Sequence, residues 1–177
     1  MDSKVKLYLE RAENELRFAK ETFNLSGKEN LKIELGANPE DTFYSAVISH
    51  SYYAIFYSAK AILLTKGINT KSPEKESQEA SEDLKKSPEE HRKTYEKFKK
   101  IFVDSGELDN KLLRIYNDLI VKADELLSLF AHEKWKRGYF TYKILAQANI
   151  EPAKESIQNT IKLLSNIKQV LETWKIL

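Results

Sequence analysis

FYSAVISHSYYAIFYSAKAILL, residues 43–64, decides the fold. The stretch is long enough to cross a bilayer. It nevertheless carries His50, Lys60 and four serines, and Lys60 lies near one end, where alone its head could snorkel to water. The reading is therefore a buried central helix of a bundle, apolar on most sides, with no membrane span. Its start is read in ANPED, 37–41. There Asn38 can cap, Pro39 suits the first helical position, and Glu40 and Asp41 favour the positive helix end. It runs on to Lys66, and Gly67 supplies the stop.

Upstream, Val5, Leu9, Ala12, Leu16, Ala19 and Phe23 recur at alternating spacings of four and three, which predicts one buried stripe on a helix from Ser3 to about Leu25. Downstream, residues 68–93 are dense in charge and poor in large apolar residues. They read as a solvated excursion, and His91 as part of a solvated helix start behind Glu89 and Glu90. Ser87 and Glu90 match a capping box with Pro88 between them, and Tyr95, Phe98 and Phe102 make a short apolar stripe before Ser105-Gly106. A fourth long helix is predicted from Asp109, on Leu112, Tyr116, Leu119, Ala123, Leu126 and Phe130. A last one begins near Asn149–Pro152, on Ile157, Ile161, Leu164, Ile167, Leu171 and Trp174. The fold class is all-α: an antiparallel up-and-down bundle of four to five long helices, read as one domain over 1–177.

Composition narrows the chemistry. Twenty-nine basic residues against 27 acidic ones leave a net charge of +2, too small for a whole-molecule nucleic-acid field. There is no cysteine, so disulfides and thiolate metal sites are excluded and a cytoplasmic location is the expectation. A carboxylate-bridged metal pair in a bundle needs Glu-x-x-His twice. The residues three before His50, His91 and His132 are Val47, Pro88 and Leu129, so no such motif exists and no metal or cofactor is predicted. A Gly-rich phosphate loop and a nucleophile elbow are equally missing.

SAVISHSYYAIFYSAKAILLTKGI, 45–68, resembles the second helix of the HEPN domain family through Ser49, Tyr52, Tyr53, Ala54, Phe56, Ala59, Leu63 and Leu64. The resemblance extends over the first helix, TYEKFKKIFVDSGELD at 94–109 and the final helix. It implies a homodimer formed through the central helices, a nucleotidyltransferase antitoxin as partner, and RNA or a nucleotide as ligand. The family's RNA-cleaving members carry Arg, four to six residues, then His. Here Arg137 is followed by Tyr142 where that histidine could stand, giving Arg-x4-Tyr. Tyrosine is a poor general base at neutral pH.

LFAHEKWKRGYFTYKIL, 129–145, supplies the candidate site. Residues 132–143 hold four basic residues and one acid, so the local charge is +3. Lys134, Trp135, Lys136, Arg137 and Tyr139, with Ser49 of the central helix, are the expected nucleotide- or RNA-binding residues, cations on phosphates and rings on bases. Arg137, Tyr142 and His50 are the candidate catalytic set for a metal-independent endoribonuclease. Two plainer readings stand beside these: the stretch as a packed inter-helix corner, and the protein as a non-catalytic interaction module. Tyr52, Tyr53, Phe56 and Tyr57 read as core and dimer interface, with Ser49, His50 and Ser51 as partners for their hydroxyls.

Overall fold

The computed structural model describes residues 3–70, 83–106 and 150–176. Helix α1 (Ser3–Ser26) leads through short α2 (Glu29–Glu34) into α3 (Tyr44–Thr65). Helix α4 (Asp83–Phe98) runs on into a π-helical turn at Lys99–Val103, and α5 (Ile150–Thr173) closes the described part. No strand occurs among the described residues, and the fold is an all-α bundle. No helix of the described part is long and apolar enough to cross a membrane.

The α1 stripe is where its spacing places it: Val5, Leu9, Ala12, Leu16 and Ala19 are all buried. Alanines at 12 and 19 of α1 and at 54, 59 and 61 of α3 are at most 1% exposed, and their small side chains let the two backbones approach closely. Ile55, Ile62 and Leu63 of α3 then meet Phe98 and Phe102 from α4 and its π turn, and Leu163, Leu164, Ile167 and Leu171 from α5. A second cluster of Ala19, Tyr44, Val47, Ile48 and Ala153 closes the far end.

The central helix starts later than expected, at Tyr44. Asn38-Pro39-Glu40-Asp41 forms a turn instead: the Asp41 N–H donates to the Asn38 carbonyl and the Asn38 N–H to the Asp41 carboxylate, both at 3.0 Å. Residues suited to a helix start are equally suited to a turn with proline second, and here the turn wins. Lys32 of α2 fastens the corner. Although only 3% exposed, it donates from Nζ to the carbonyls of Ser26 (3.3 Å) and Asp41 (3.0 Å). The Ser26 hydroxyl in turn accepts from the Phe43 N–H at 2.9 Å, tying the end of α1 to the start of α3.

Gly67 does stop α3. It takes φ +72°, with Gly67 N–H donating to the Leu64 carbonyl (2.9 Å) and Ile68 N–H to that of Leu63 (3.1 Å). This is the Schellman pattern, which needs a left-handed residue at that position. Helix α4 begins at Asp83, four residues before the expected capping box at Ser87. On α5 the buried line runs through Ala153, Ser156, Thr160, Leu163, Leu164, Ile167 and Leu171, so Ile161 of the expected stripe is left on its edge. Polar Ser156 and Thr160 are admitted because their hydroxyls bond within the helix, and Thr160 Oγ1 also lies 3.1 Å from the Ser51 carbonyl.

Candidate functional site

Two edges of the α1–α3 pair face outward together. Arg11, Glu15 and Phe18 follow one another at spacings of four and three, beside the core stripe of α1. His50, Tyr53 and Tyr57 do the same on α3 at spacings of three and four. Packing of the core stripes brings these edges into register, and the side chains meet across the seam.

At one end the His50 Nδ1–H donates to Glu15 Oε2 at 2.7 Å, with the Phe18 ring 4.5 Å from the imidazole. A carboxylate on Nδ1 fixes the ring's orientation and leaves Nε2 as the second exchangeable position. In the middle the Arg11 guanidinium lies over the Tyr57 ring at 4.3 Å, and Tyr8 and Tyr53 stack on Tyr57 at 6.0 and 6.3 Å. Burial pushes the Tyr57 phenol above its usual range. Arg11 pulls it down, while Glu15, Tyr53 and Glu90 add to the rise. Tyr57 is therefore neutral at physiological pH, a hydrogen-bond donor and not a base.

The inner end joins α4. The His91 ring lies nearly parallel on Phe56 (4.0 Å, 11°) and on Tyr52 (5.2 Å, 25°), with Tyr53 edge-on at 5.9 Å. Tyr52 Oη and His91 Nδ1 share a hydrogen bond. Next to it, Lys60, 4% exposed, is paired with Glu90 and lies over Tyr8 (4.9 Å) and Phe56 (5.3 Å). These findings correct two expectations. His91 is not part of a solvated helix start but a half-buried ring in an aromatic stack. The Tyr52 hydroxyl finds its partner in α4 and not in the neighbouring serines of its own helix.

Of the expected site residues, Ser49 and His50 are described, both half-buried on α3. Lys134, Trp135, Lys136, Arg137, Tyr139 and Tyr142 lie outside the described residues. Tyr52 and Phe56 are core, as expected, whereas Tyr53 is 37% and Phe18 58% exposed. Arg11, Glu15 and Phe18 were missed by the sequence reading. Their signal is the pair of rings Tyr8 and Phe18, which bracket Arg11 and Glu15 on one line of α1.

A family model for the HEPN domain matches residues 5–133, a span that includes the whole of this face. The chain belongs to the HEPN family. Two proteins of Methanocaldococcus jannaschii are similar to it. "Putative toxin MJ0142" is 31% identical over 105 residues, 59% of this HEPN chain and 59% of that protein. "Putative toxin MJ0605" is 29% identical over 133 residues, 75% of each chain. No solved structure matches. Arg137 and Tyr142 lie beyond residue 133, where the family match ends.

Proposed function

We propose that this HEPN chain is the RNA- or nucleotide-binding component of a toxin–antitoxin-like pair, acting as a homodimer with a nucleotidyltransferase partner. The observation that carries the binding reading is the pair of exposed rings, Phe18 and Tyr53, flanking His50 beside the exposed cation Arg11. Exposed rings beside a guanidinium offer stacking faces for bases and a bidentate contact for phosphate, which suits single-stranded RNA. In this reading Lys134, Trp135, Lys136, Arg137 and Tyr139 add a second basic-aromatic patch, and Ser49 lies on the same helix as Tyr53. The toxin names of the two relatives support the assignment to a toxin–antitoxin-like system.

A second reading, metal-independent cleavage of RNA, has one observation in its favour: the Glu15–His50 contact, which could orient a proton-transferring imidazole where the Arg-x4-Tyr sequence lacks one. One experiment separates the readings. Labelled single-stranded RNA is incubated with the full chain in EDTA, and anisotropy and gel are read from the same tubes for wild type, Phe18→Ala, Tyr53→Ala, His50→Ala and Arg137→Ala. Binding that weakens in the Phe18, Tyr53 and Arg137 variants, without cleavage, is the expected result. Cleavage lost in His50→Ala establishes the second reading. Absence of both binding and cleavage leaves an interaction module and refutes both.

A further inference from the structure

Ile161 was expected in the core stripe of α5, yet it is 38% exposed. It stands on the lip of an open groove of about 370 Å³ between α1 and α5. The floor is aliphatic: Leu16 from α1 and Leu164 from α5, which are 9% and 5% exposed. The rim is charged, with Arg17 and Lys20 on α1 and Lys168 on α5. Glu13 is the one acidic residue of the lining and is already paired with Lys168. Three cations less one carboxylate leave the rim at +2.

The groove is separate from the aromatic face. At about 100° per residue, positions 13, 17 and 20 of α1 lie roughly half a turn away from 11, 15 and 18. At 1.5 Å per residue, 13–20 and 161–168 each extend roughly 10 Å, the length of about two turns of a docked helix. That accommodates two apolar anchors at i and i+4 over Leu16, Leu164 and Ile161, with the anchors' neighbours facing the cations. The lining contains no aromatic ring, so a nucleic acid placed here would have phosphate contacts and no base stacking. Charge complementarity thus selects one occupant. We propose that the α1–α5 groove is the docking site for an acidic amphipathic helical segment of a protein partner.

The test uses the full chain and a fluorescein-labelled peptide of about 16 residues, two leucines at i and i+4 in a Glu/Ala helical background. A twin peptide carries Lys in place of every Glu. Anisotropy is measured for wild type, for the charge-reversed pair Arg17→Glu with Lys20→Glu, and for the milder Arg17→Ala with Lys20→Ala. Far-UV circular dichroism checks that each variant is folded. Binding of the acidic peptide alone is expected, weakened about tenfold by charge reversal and less by the alanine pair, with the reversed protein gaining affinity for the Lys twin. The proposal is overturned if the acidic peptide does not bind, if both peptides bind equally, or if charge reversal leaves its affinity unchanged. It is overturned too if a single-stranded RNA probe alone is lost on charge reversal, since the groove would then be a nucleic-acid site.

Discussion

The Lys60–Glu90 pair joins the central helix to α4, and cutting it gives a quantitative test of that junction. The Lys60 side chain is 5% exposed and that of Glu90 28%. In Glu90→Ala the ammonium remains buried without its carboxylate. Removing one partner of a fully buried pair costs roughly 3–5 kcal/mol, chiefly because the other charge is left uncompensated. Two features reduce that here. Water already reaches Glu90, and the ring faces of Tyr8 and Phe56 continue to attract the cation, each contributing about 0.5–1 kcal/mol or more. A loss of about 2 kcal/mol is expected, with no helix-propensity penalty because alanine is the best helix former. At this chain length that corresponds to a fall in Tm of about 4–8 °C. Urea denaturation followed by circular dichroism measures it. The double variant Lys60→Met with Glu90→Ala removes the stranded charge and should recover to within about 1 kcal/mol of wild type. A loss below about 0.5 kcal/mol in Glu90→Ala, or a double variant no more stable than the single, would show that the Lys60 charge is not stranded by removal of Glu90.

Three further outcomes are expected. Lys32→Met removes charged hydrogen bonds to the Ser26 and Asp41 carbonyls, and by urea denaturation should cost about 2 kcal/mol. Ser51 is fully buried, and among the described residues its hydroxyl finds no hydrogen-bond partner, so Ser51→Ala should be neutral or stabilise by up to about 1 kcal/mol; a clear loss would reveal a partner for that oxygen. Because the folded Tyr57 phenol holds its proton above the usual value of 10.0, its contribution is fully present below that pH. It is lost as pH rises through the folded value, since the unfolded chain ionises first. Stability of the wild type should therefore fall above about pH 10 more steeply than that of Tyr57→Phe, as read by denaturation at stepped pH.

The sequence made the bundle legible where one rule acted alone. The four–three stripe of α1 reports burial directly, and Gly67 is the residue a left-handed helix stop requires. It misled where two local solutions compete. Asn38-Pro39-Glu40-Asp41 serves a turn as well as a helix start, and only the corner fastened by Lys32 and Ser26 decides between them. The charged run that continues into α4 concealed His91 for a different reason: stacking on Phe56 is a contact 35 residues away, which local composition does not encode. For the site, the aromatic content of the central helix was visible, but which rings face outward was not. Tyr53 and Tyr52 are adjacent in sequence and take opposite fates, exposed and buried, because one points along the seam and the other into the core. Arg11, Glu15 and Phe18 required knowledge of which edge of α1 meets α3.

In the proposed function, bases of single-stranded RNA stack on the outward rings of the α1–α3 face. Ultraviolet cross-linking of 4-thiouridine-labelled RNA to the full chain in EDTA, followed by peptide mass spectrometry, locates those contacts. Adducts at Phe18 and Tyr53, reduced by competitor RNA and by raised salt, are expected. Adducts confined to other surfaces, or none above a denatured control, would contradict that stacking.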